Sequence, residues 1–293
     1  MTSSAFEVWR REGQRHTYRG HAIFYRVVGE GEPLLAIYGF PSASWDWHAI
    51  LPELTKRFRV IAPDMLGYGW SDKPRPFRYS IFDQADRLEA LLASLAIDRV
   101  HLLAHDYGDT VAQELLARHR DRNGDGLAIA SCCLLNGGVF PETHHARPIQ
   151  KLLRTPLGPL VARLTSRRAF GRSMHAIFGD TPPSSAFVDE LWTLLRHDDG
   201  HLVIPLLIDY IRERKENRAR WVGALERTKV PLTMIDGIRD PVSGTDMLAR
   251  WRELVPHAPA IELPGVGHYP QIEDPAGVLR AFLAFHDATS PIG

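Results

Sequence analysis

The segment Val100-His101-Leu102-Leu103-Ala104-His105-Asp106-Tyr107-Gly108-Asp109 passes from an apolar strand pattern through a tight turn into a helical pattern. Asp106 stands at the turn, with small residues, Ala104 and Gly108, two positions before and after it. So sharp a turn is strained and brings the backbone close to its neighbours, which is why small residues are needed there. The strain lifts the central side chain to the C-terminal edge of a sheet, at a helix N-terminus where free N–H groups favour negative charge. An Asp in that place also reads as a helix cap. Two further residues favour chemistry. Asp240 follows the apolar run that ends at Asp236, and His268 stands on the Gly-bounded loop Pro264-Gly265-Val266-Gly267-His268 after the last apolar run. In chain order these are a nucleophile, an acid and a base.

A carboxylate nucleophile narrows the reaction. Attack on an ester carbonyl would give an anhydride, a poor intermediate, whereas attack on a saturated carbon gives a stable alkyl ester that a second step can hydrolyse. His268, oriented by Asp240, would activate the water for that step. The substrate is then expected to carry an epoxide oxygen or a halide on an sp³ carbon. Asp236 ends its strand before the Gly237 turn, so the loop residue Asp240 is preferred as the triad acid. Asp109, one turn into the helix, reads as helix N-terminal stabilisation.

Short apolar runs alternating with longer helical patterns predict an α/β fold, a mostly parallel sheet with helices on both faces. The expected strands are Phe6–Arg10, Ala22–Val28, Leu34–Tyr38, Phe58–Ala62, Val100–Ala104, Ile129–Leu135, Val230–Asp236 and Ala260–Leu263. Several are apolar almost throughout, as strands buried on both faces are. Ser80-Ile81-Phe82-Asp83 resembles a capping box that opens a helix through Ala96; Gly108–Arg120 and Pro275–His286 are further helices. The rhythm breaks between about Val139 and Thr228, where only helical patterns occur: Pro148–Leu164, Ser184–Arg196 and Leu202–Arg220. The expected organisation is a core of residues 1–138 and 229–293 with a helical lid, 139–228, inserted between the sixth and seventh strands.

The chain has 293 residues, 44% of them hydrophobic, and its 35 Lys+Arg balance 35 Asp+Glu, which disfavours an electrostatic nucleic-acid binder. Cys132 and Cys133 are adjacent in an apolar run, so no disulfide framework is expected. His144-His145 with these cysteines match no zinc spacing, and neither a metal nor a cofactor is called for. No apolar stretch reaches the roughly 18 residues of a membrane span, and the N-terminus has no apolar core of a signal peptide. A cytoplasmic protein without membrane insertion, monomeric or homodimeric, is expected. The basic run Arg212–Arg220 reads as a solvated helix face, because Glu213 and Glu216 interleave it.

Trp70-Ser71-Asp72-Lys73-Pro74-Arg75-Pro76, His105-Asp106-Tyr107-Gly108-Asp109, Val111-Ala112-Gln113-Glu114-Leu115-Leu116, Asn136-Gly137-Gly138-Val139-Phe140-Pro141-Glu142-Thr143-His144 and Arg220-Trp221-Val222-Gly223-Ala224-Leu225 carry a resemblance. From about residue 15 onward the chain resembles the α/β-hydrolase fold, in the branch of epoxide hydrolases and haloalkane dehalogenases, and within it the mesoderm-specific transcript group with its bacterial relatives. The resemblance implies that the loop Tyr38-Gly39-Phe40-Pro41 supplies one oxyanion donor, the N–H of Phe40, and that Tyr107 supplies the other. It implies a lid tyrosine that protonates the leaving epoxide oxygen, and Tyr210, in Leu207-Ile208-Asp209-Tyr210-Ile211-Arg212, resembles it. The usual halide contacts are absent, since Tyr107 and Phe40 occupy their places. Two departures stand out: the second lid tyrosine has no counterpart, with His144, His145 or Trp192 as possible substitutes, and Tyr38 replaces the usual His of H-G-x-P. Phe40, Tyr107 and Trp192 are expected to bind a small hydrophobic substrate. Epoxide hydrolysis leads; haloalkane or haloacid dehalogenation with the same triad and a non-catalytic ligand-binding protein remain alternatives.

Overall fold

In the computed structural model, which describes residues 3–123 and 125–289, eight strands form one sheet: β1 Gln14–Tyr18, β2 His21–Val28, β3 Glu32–Ile37, β4 Phe58–Pro63, β5 Arg99–His105, β6 Ala128–Leu135, β7 Leu232–Gly237 and β8 Ala260–Leu263. Their order is β1-β2-β4-β3-β5-β6-β7-β8. β1 and β2 pair antiparallel, β2 pairs antiparallel with β4, and every later pairing is parallel. The central strands are buried along nearly their whole length, as the unbroken apolar runs Leu34–Ile37 and Cys132–Leu135 require.

The expected strand Phe6–Arg10 is instead part of a helix, Ser4–Arg11, capped by the Ser3 hydroxyl, which accepts from the Phe6 amide. Phe6 and Trp9 are three residues apart and both are buried; that helical spacing outweighs the β-propensity of the aromatic residues. The actual first strand, Gln14–Tyr18, was not anticipated, because an edge strand of Gln, Arg, His, Thr and Tyr has no apolar run to mark it. Ser80 does cap the helix Ile81–Ser94 through the Asp83 amide at 3.1 Å.

Between β6 and β7 no strand occurs among the described residues; helices span Pro148–Leu153, Gly158–Leu164, Arg167–His175, Ser185–Arg196, Ile204–Leu207, Tyr210–Glu216 and Arg218–Arg227. The single helix expected over Pro148–Leu164 is split at Thr155-Pro156, since proline donates no N–H and pushes its predecessor out of the helical region. Leu202–Arg220 likewise breaks into short helices, and Arg167–His175, capped by Ser166, was not anticipated. The end of the insertion is docked on the helix Tyr107–Asp121: the fully buried Trp221 donates its indole N–H to Glu114 at 2.8 Å, and Arg220 adds a second contact to the same carboxylate at 2.7 Å. Glu213 accepts the Ile81 amide at 3.0 Å, fixing Tyr210–Glu216 against the helix Ile81–Ser94. Among the described residues no helix is long and apolar enough to cross a membrane.

Candidate active site

β5 delivers Asp106 into a turn with φ 46° and ψ −101°, a conformation non-glycine residues rarely hold, and the helix Tyr107–Asp121 begins at the next residue. The turn can be so tight because Gly108 lies against the neighbouring strand: a Cβ there would stand 2.3 Å from the Ile37 carbonyl oxygen. Gly39 is equally constrained, since its Cβ would meet Asp106 Cβ at 2.9 Å. The loop after β3 thereby brings the Phe40 amide to Asp106 Oδ2 at 3.0 Å. Tyr107 is the first residue of its helix, where an amide has no intrahelical acceptor. Tyr38, in place of the usual His, is buried and its hydroxyl accepts from the Met65 amide at 2.7 Å, tying this loop to the one after β4.

His268 and Asp240 arrive from the loops after β8 and β7. His268 Nδ1 is 2.8 Å from Asp240 Oδ2, and its Nε2 is 3.9 Å from Asp106 Oδ2. Asp240 is held from all sides: Asn136 Nδ2 donates to Oδ2 at 3.1 Å, the Ser243 hydroxyl at 2.8 Å, and the Val242 amide to Oδ1 at 2.7 Å. Burial opposes its ionisation, but the imidazolium and these donors hold the carboxyl below the ordinary Asp range. Burial also disfavours the charged His268, yet Asp240 and Asp106 outweigh it and hold the imidazole pKa well above its usual value. Asp236, the alternative acid, is buried without a hydrogen-bond partner for either oxygen, and burial followed by the charge of Asp240 raises its pKa. The Gly237 turn, with Ile238 and Arg239, carries the chain from Asp236 to a carboxylate under the histidine.

A guanidinium stands beside Asp106. Arg214, 3% exposed, donates from Nη2 to the Asp106 carbonyl at 2.9 Å and from Nε to Thr110 Oγ1 at 2.6 Å, with Nη2 3.6 Å from Asp106 Oδ1. The expected solvated face therefore covers only part of Arg212–Arg220. Arg212 and Arg218 pair with carboxylates at the surface, but Arg214 and Glu213 point into the protein. Composition shows that a helix is charged; only packing shows which turn faces the core. Burial resists ionisation of Asp106, but His268 and Arg214 together hold its carboxyl well below the ordinary range. Asp109, fully buried with Gly137 against its carboxyl, has its pKa raised by burial and by the charge on Asp106.

Tyr210 lies four residues before Arg214 on the same helix, so both face the turn. Its ring packs against Phe40 at 5.7 Å and Tyr107 at 5.0 Å, with the Arg214 guanidinium 4.5 Å from its centre. Its buried hydroxyl has no hydrogen-bond partner, and burial followed by the Asp106 charge raises its pKa. Tyr107 is buried, its ring between Tyr68 and Tyr210. Trp192 packs on Phe170 with Arg196 over it and does not line the cavity. His144 stands closer: its Nδ1 lies 2.9 Å, and Arg214 Nη1 2.5 Å, from where a Gly138 Cβ would be.

A cavity of about 440 Å³ reaches this constellation at His268 and Phe40 and is lined besides by Pro41 and Val242 from the core and by Leu153, Ala162, Phe170, Met174 and Leu195 from the insertion; Asp106, Tyr107 and Tyr210 are not among its lining residues. Its walls are mainly apolar, which suits a hydrophobic ligand. Among the described residues, the group with metal-ligand spacing is Glu32, His101 and His286, at the opposite end of the strands from His268. Two histidines sharing one exposed carboxylate also make an ion-pair cluster, at 3.6 and 3.4 Å. Asn136 and Arg214 were not identified from residue types as site residues because each reaches its partner from more than one hundred residues away, and Ser243, three residues from Asp240, because a lone loop serine carries no signal of its own.

The alpha/beta hydrolase fold family matches residues 32–275. The chain is 44% identical over 295 residues to the mesoderm-specific transcript protein of Mus musculus, covering 97% of this chain and 88% of that one. It is 42% identical over 286 residues to the putative hydrolase LipZ of Mycobacterium tuberculosis, covering 97% and 99%. Its backbone is similar to that of the haloalkane dehalogenase DbeA-M1 loop variant from Bradyrhizobium elkanii, with a TM-score of 0.80, 21% identity and coverage of 94% and 96%.

Proposed function

The chain belongs to the α/β-hydrolase fold family, and from that premise we propose that it hydrolyses small hydrophobic epoxides through a covalent ester on Asp106. The observation that carries this reading is the junction of an ionised carboxylate at the strained turn with a His268–Asp240 pair beside it. Helices 139–228 act as the lid whose inner faces shape the substrate cavity.

In the first step an Asp106 oxygen attacks the less hindered epoxide carbon. The C–O bond of the ring breaks, and its electron pair stays on the ring oxygen, which takes the proton of the Tyr210 hydroxyl. The phenolate so formed lies beside the Arg214 guanidinium. Esterification removes the negative partner that held the proton on His268, so that proton is released and returns to Tyr210 through solvent. Neutral His268, oriented by Asp240, then takes a proton from water as the water attacks the ester carbonyl carbon. The tetrahedral oxyanion rests on the amides of Phe40 and Tyr107. Collapse frees the diol and restores Asp106 carboxylate and His268 imidazolium.

Two outcomes are expected. Turnover in ¹⁸O-water places label in the Asp106 carboxyl group, read by peptide mass spectrometry, because water attacks the ester carbonyl carbon. Label found only in the diol would sink the ester. Tyr210→Phe is expected to slow epoxide opening on the order of 100-fold, since a positioned acid contributes about that much. It should leave any reaction with bromoalkanes unchanged, because halide leaves without a proton; equal losses on both would remove Tyr210 from the acid role. Dehalogenation with the same triad is the second reading, favoured only by the apolar cavity and the shared nucleophile.

A further inference from the structure

Six large apolar side chains stand exposed among the described residues, and all belong to the helical insertion: Ile149, Leu152, Leu157, Leu160, Leu164 and Leu206. Leu157 is 58% and Leu164 72% exposed. Isolated surface leucines are ordinary, but five large apolar side chains exposed within sixteen residues, Ile149 of them at the cavity and four leucines besides, are a concentration of the kind that marks contact with something apolar. The charge around them is as one-sided as the protein as a whole is balanced. From residue 143 to 179 there is no Asp or Glu, while Arg147, Lys151, Arg154, Arg163, Arg167, Arg168 and Arg172 supply seven positive charges in a chain of net charge zero. Arg167 pairs with Asp189 at 2.7 Å, and the charge of Arg154 acts on Asp209.

We propose that this face docks on an anionic lipid surface. The leucines would sit at the level of the upper acyl chains while Lys151, Arg154, Arg163 and Arg168 reach the phosphates around them, the division of labour that long cationic side chains and short amphipathic helices allow. The two helices have six and seven residues and are separated by Thr155-Pro156, so they lie on a surface and cannot span it. An acidic protein would answer the charge but not the leucines, and a second copy of the chain would bring the same positive charges face to face. Lipid meets both features. The same helices turn Leu153 and Ala162 inward to the cavity, so a docked molecule would hold the cavity wall against the membrane and draw hydrophobic substrate from it. That consequence rests on the function proposed above; the docking itself does not.

Flotation with vesicles tests it without any substrate. The full chain, free of added tags, is expected to float with vesicles of phosphatidylcholine containing about a third phosphatidylserine, to stay behind with pure phosphatidylcholine, and to be released by 0.5 M salt. Each cation near such a surface is worth about fivefold in partitioning. Lys151→Glu with Arg154→Glu and Arg163→Glu should therefore lower it by at least about 100-fold. Leu157→Gln with Leu160→Gln and Leu164→Gln should weaken it too, with circular dichroism unchanged, because all six side chains are at the surface. No flotation with anionic vesicles, or flotation indifferent to salt and to both triple variants, overturns the proposal. So does a concentration-dependent dimer that the leucine variant dissolves while vesicle binding is absent; the patch would then be a contact between copies. Loss of flotation with unaltered hydrolysis in detergent separates this proposal from the reading of the active site.

Discussion

His268→Gln is expected to gain mass on incubation with a terminal epoxide, by the whole mass of the substrate, and to keep it. Alkylation needs the Asp106 carboxylate, the Tyr210 proton and the strained turn, none of which the substitution removes; the hydrolytic step needs Nε2 as base, and glutamine offers none. Turnover should fall on the order of 1,000-fold or more, with the ester accumulating stoichiometrically. A gain equal to the substrate without hydrogen halide, seen with bromoalkanes alone, would transfer the protein to the dehalogenase reading. No adduct from either class, in a variant that still folds, would sink the covalent ester. His268 packs against His105 and Tyr269, and its carbonyl is 2.6 Å from His105 Nε2, a contact the backbone keeps in the variant. Loss of fold is therefore not the expected result.

The second large effect is expected at Arg214. The guanidinium bridges Thr110, the Asp106 carbonyl and the Asp106 carboxylate inside the protein. Breaking a buried pair by removing one partner commonly costs about 3–5 kcal/mol, because the other charge is left uncompensated. In Arg214→Met, Asp106 keeps its burial but loses one of the cations that offset it, and His268 remains on the other side. Its pKa should rise, and with it the acid limb of the alkylation rate, which in the native protein lies below the ordinary Asp range. At neutral pH, adduct formation in the His268→Gln background should slow about 100-fold, the usual cost of one buried donor to a reacting group. Arg214→Lys keeps a charge but not the fork that reaches two partners, so it should fall between. For stability the sign is that of a depressed carboxyl: the pair contributes fully above the unfolded Asp value of about 3.9 and loses its contribution as the pH falls through the lower folded value. The stability gap between native and Arg214→Met, read by urea midpoints, should thus be full at pH 7 and narrow only below about pH 4. An unmoved acid limb, with adduct formation at the native rate, would make Arg214 a packing residue.

What the sequence determined by itself is the part of this protein that is local. The tight turn at Asp106 shows in the small residues Ala104 and Gly108, the buried strands in unbroken apolar runs, and the cap at Ser80 in its own four residues; all depend on neighbours within a turn or a strand. The order Asp106, Asp240, His268 was legible too, because each residue stands at or within a few residues of the end of a recognisable strand and the strands' parallel pairing brings their ends together. Where local signals conflicted or were lacking, the reading failed: Phe6 and Trp9 have the composition of a strand and the spacing of a helix, and Gln14–Tyr18 is a strand only because β2 is there to pair with it.

Only the tertiary structure decided how the insertion meets the core. Glu114 captures Trp221 and Arg220 from more than one hundred residues away, and Glu213 takes the Ile81 amide; these contacts rotate Tyr210 and Arg214 toward Asp106 and leave Arg212 in water. The sequence of that helix alternates charges on every side, so no periodicity marks which arginine is buried. The same applies to Asn136, which reaches Asp240 from more than one hundred residues away, and to the leucines of Pro148–Leu164, whose inner or outer placement depends on where the helix is broken. Helix existence follows from short-range preference, whereas helix orientation follows from long-range contacts that a linear pattern does not contain.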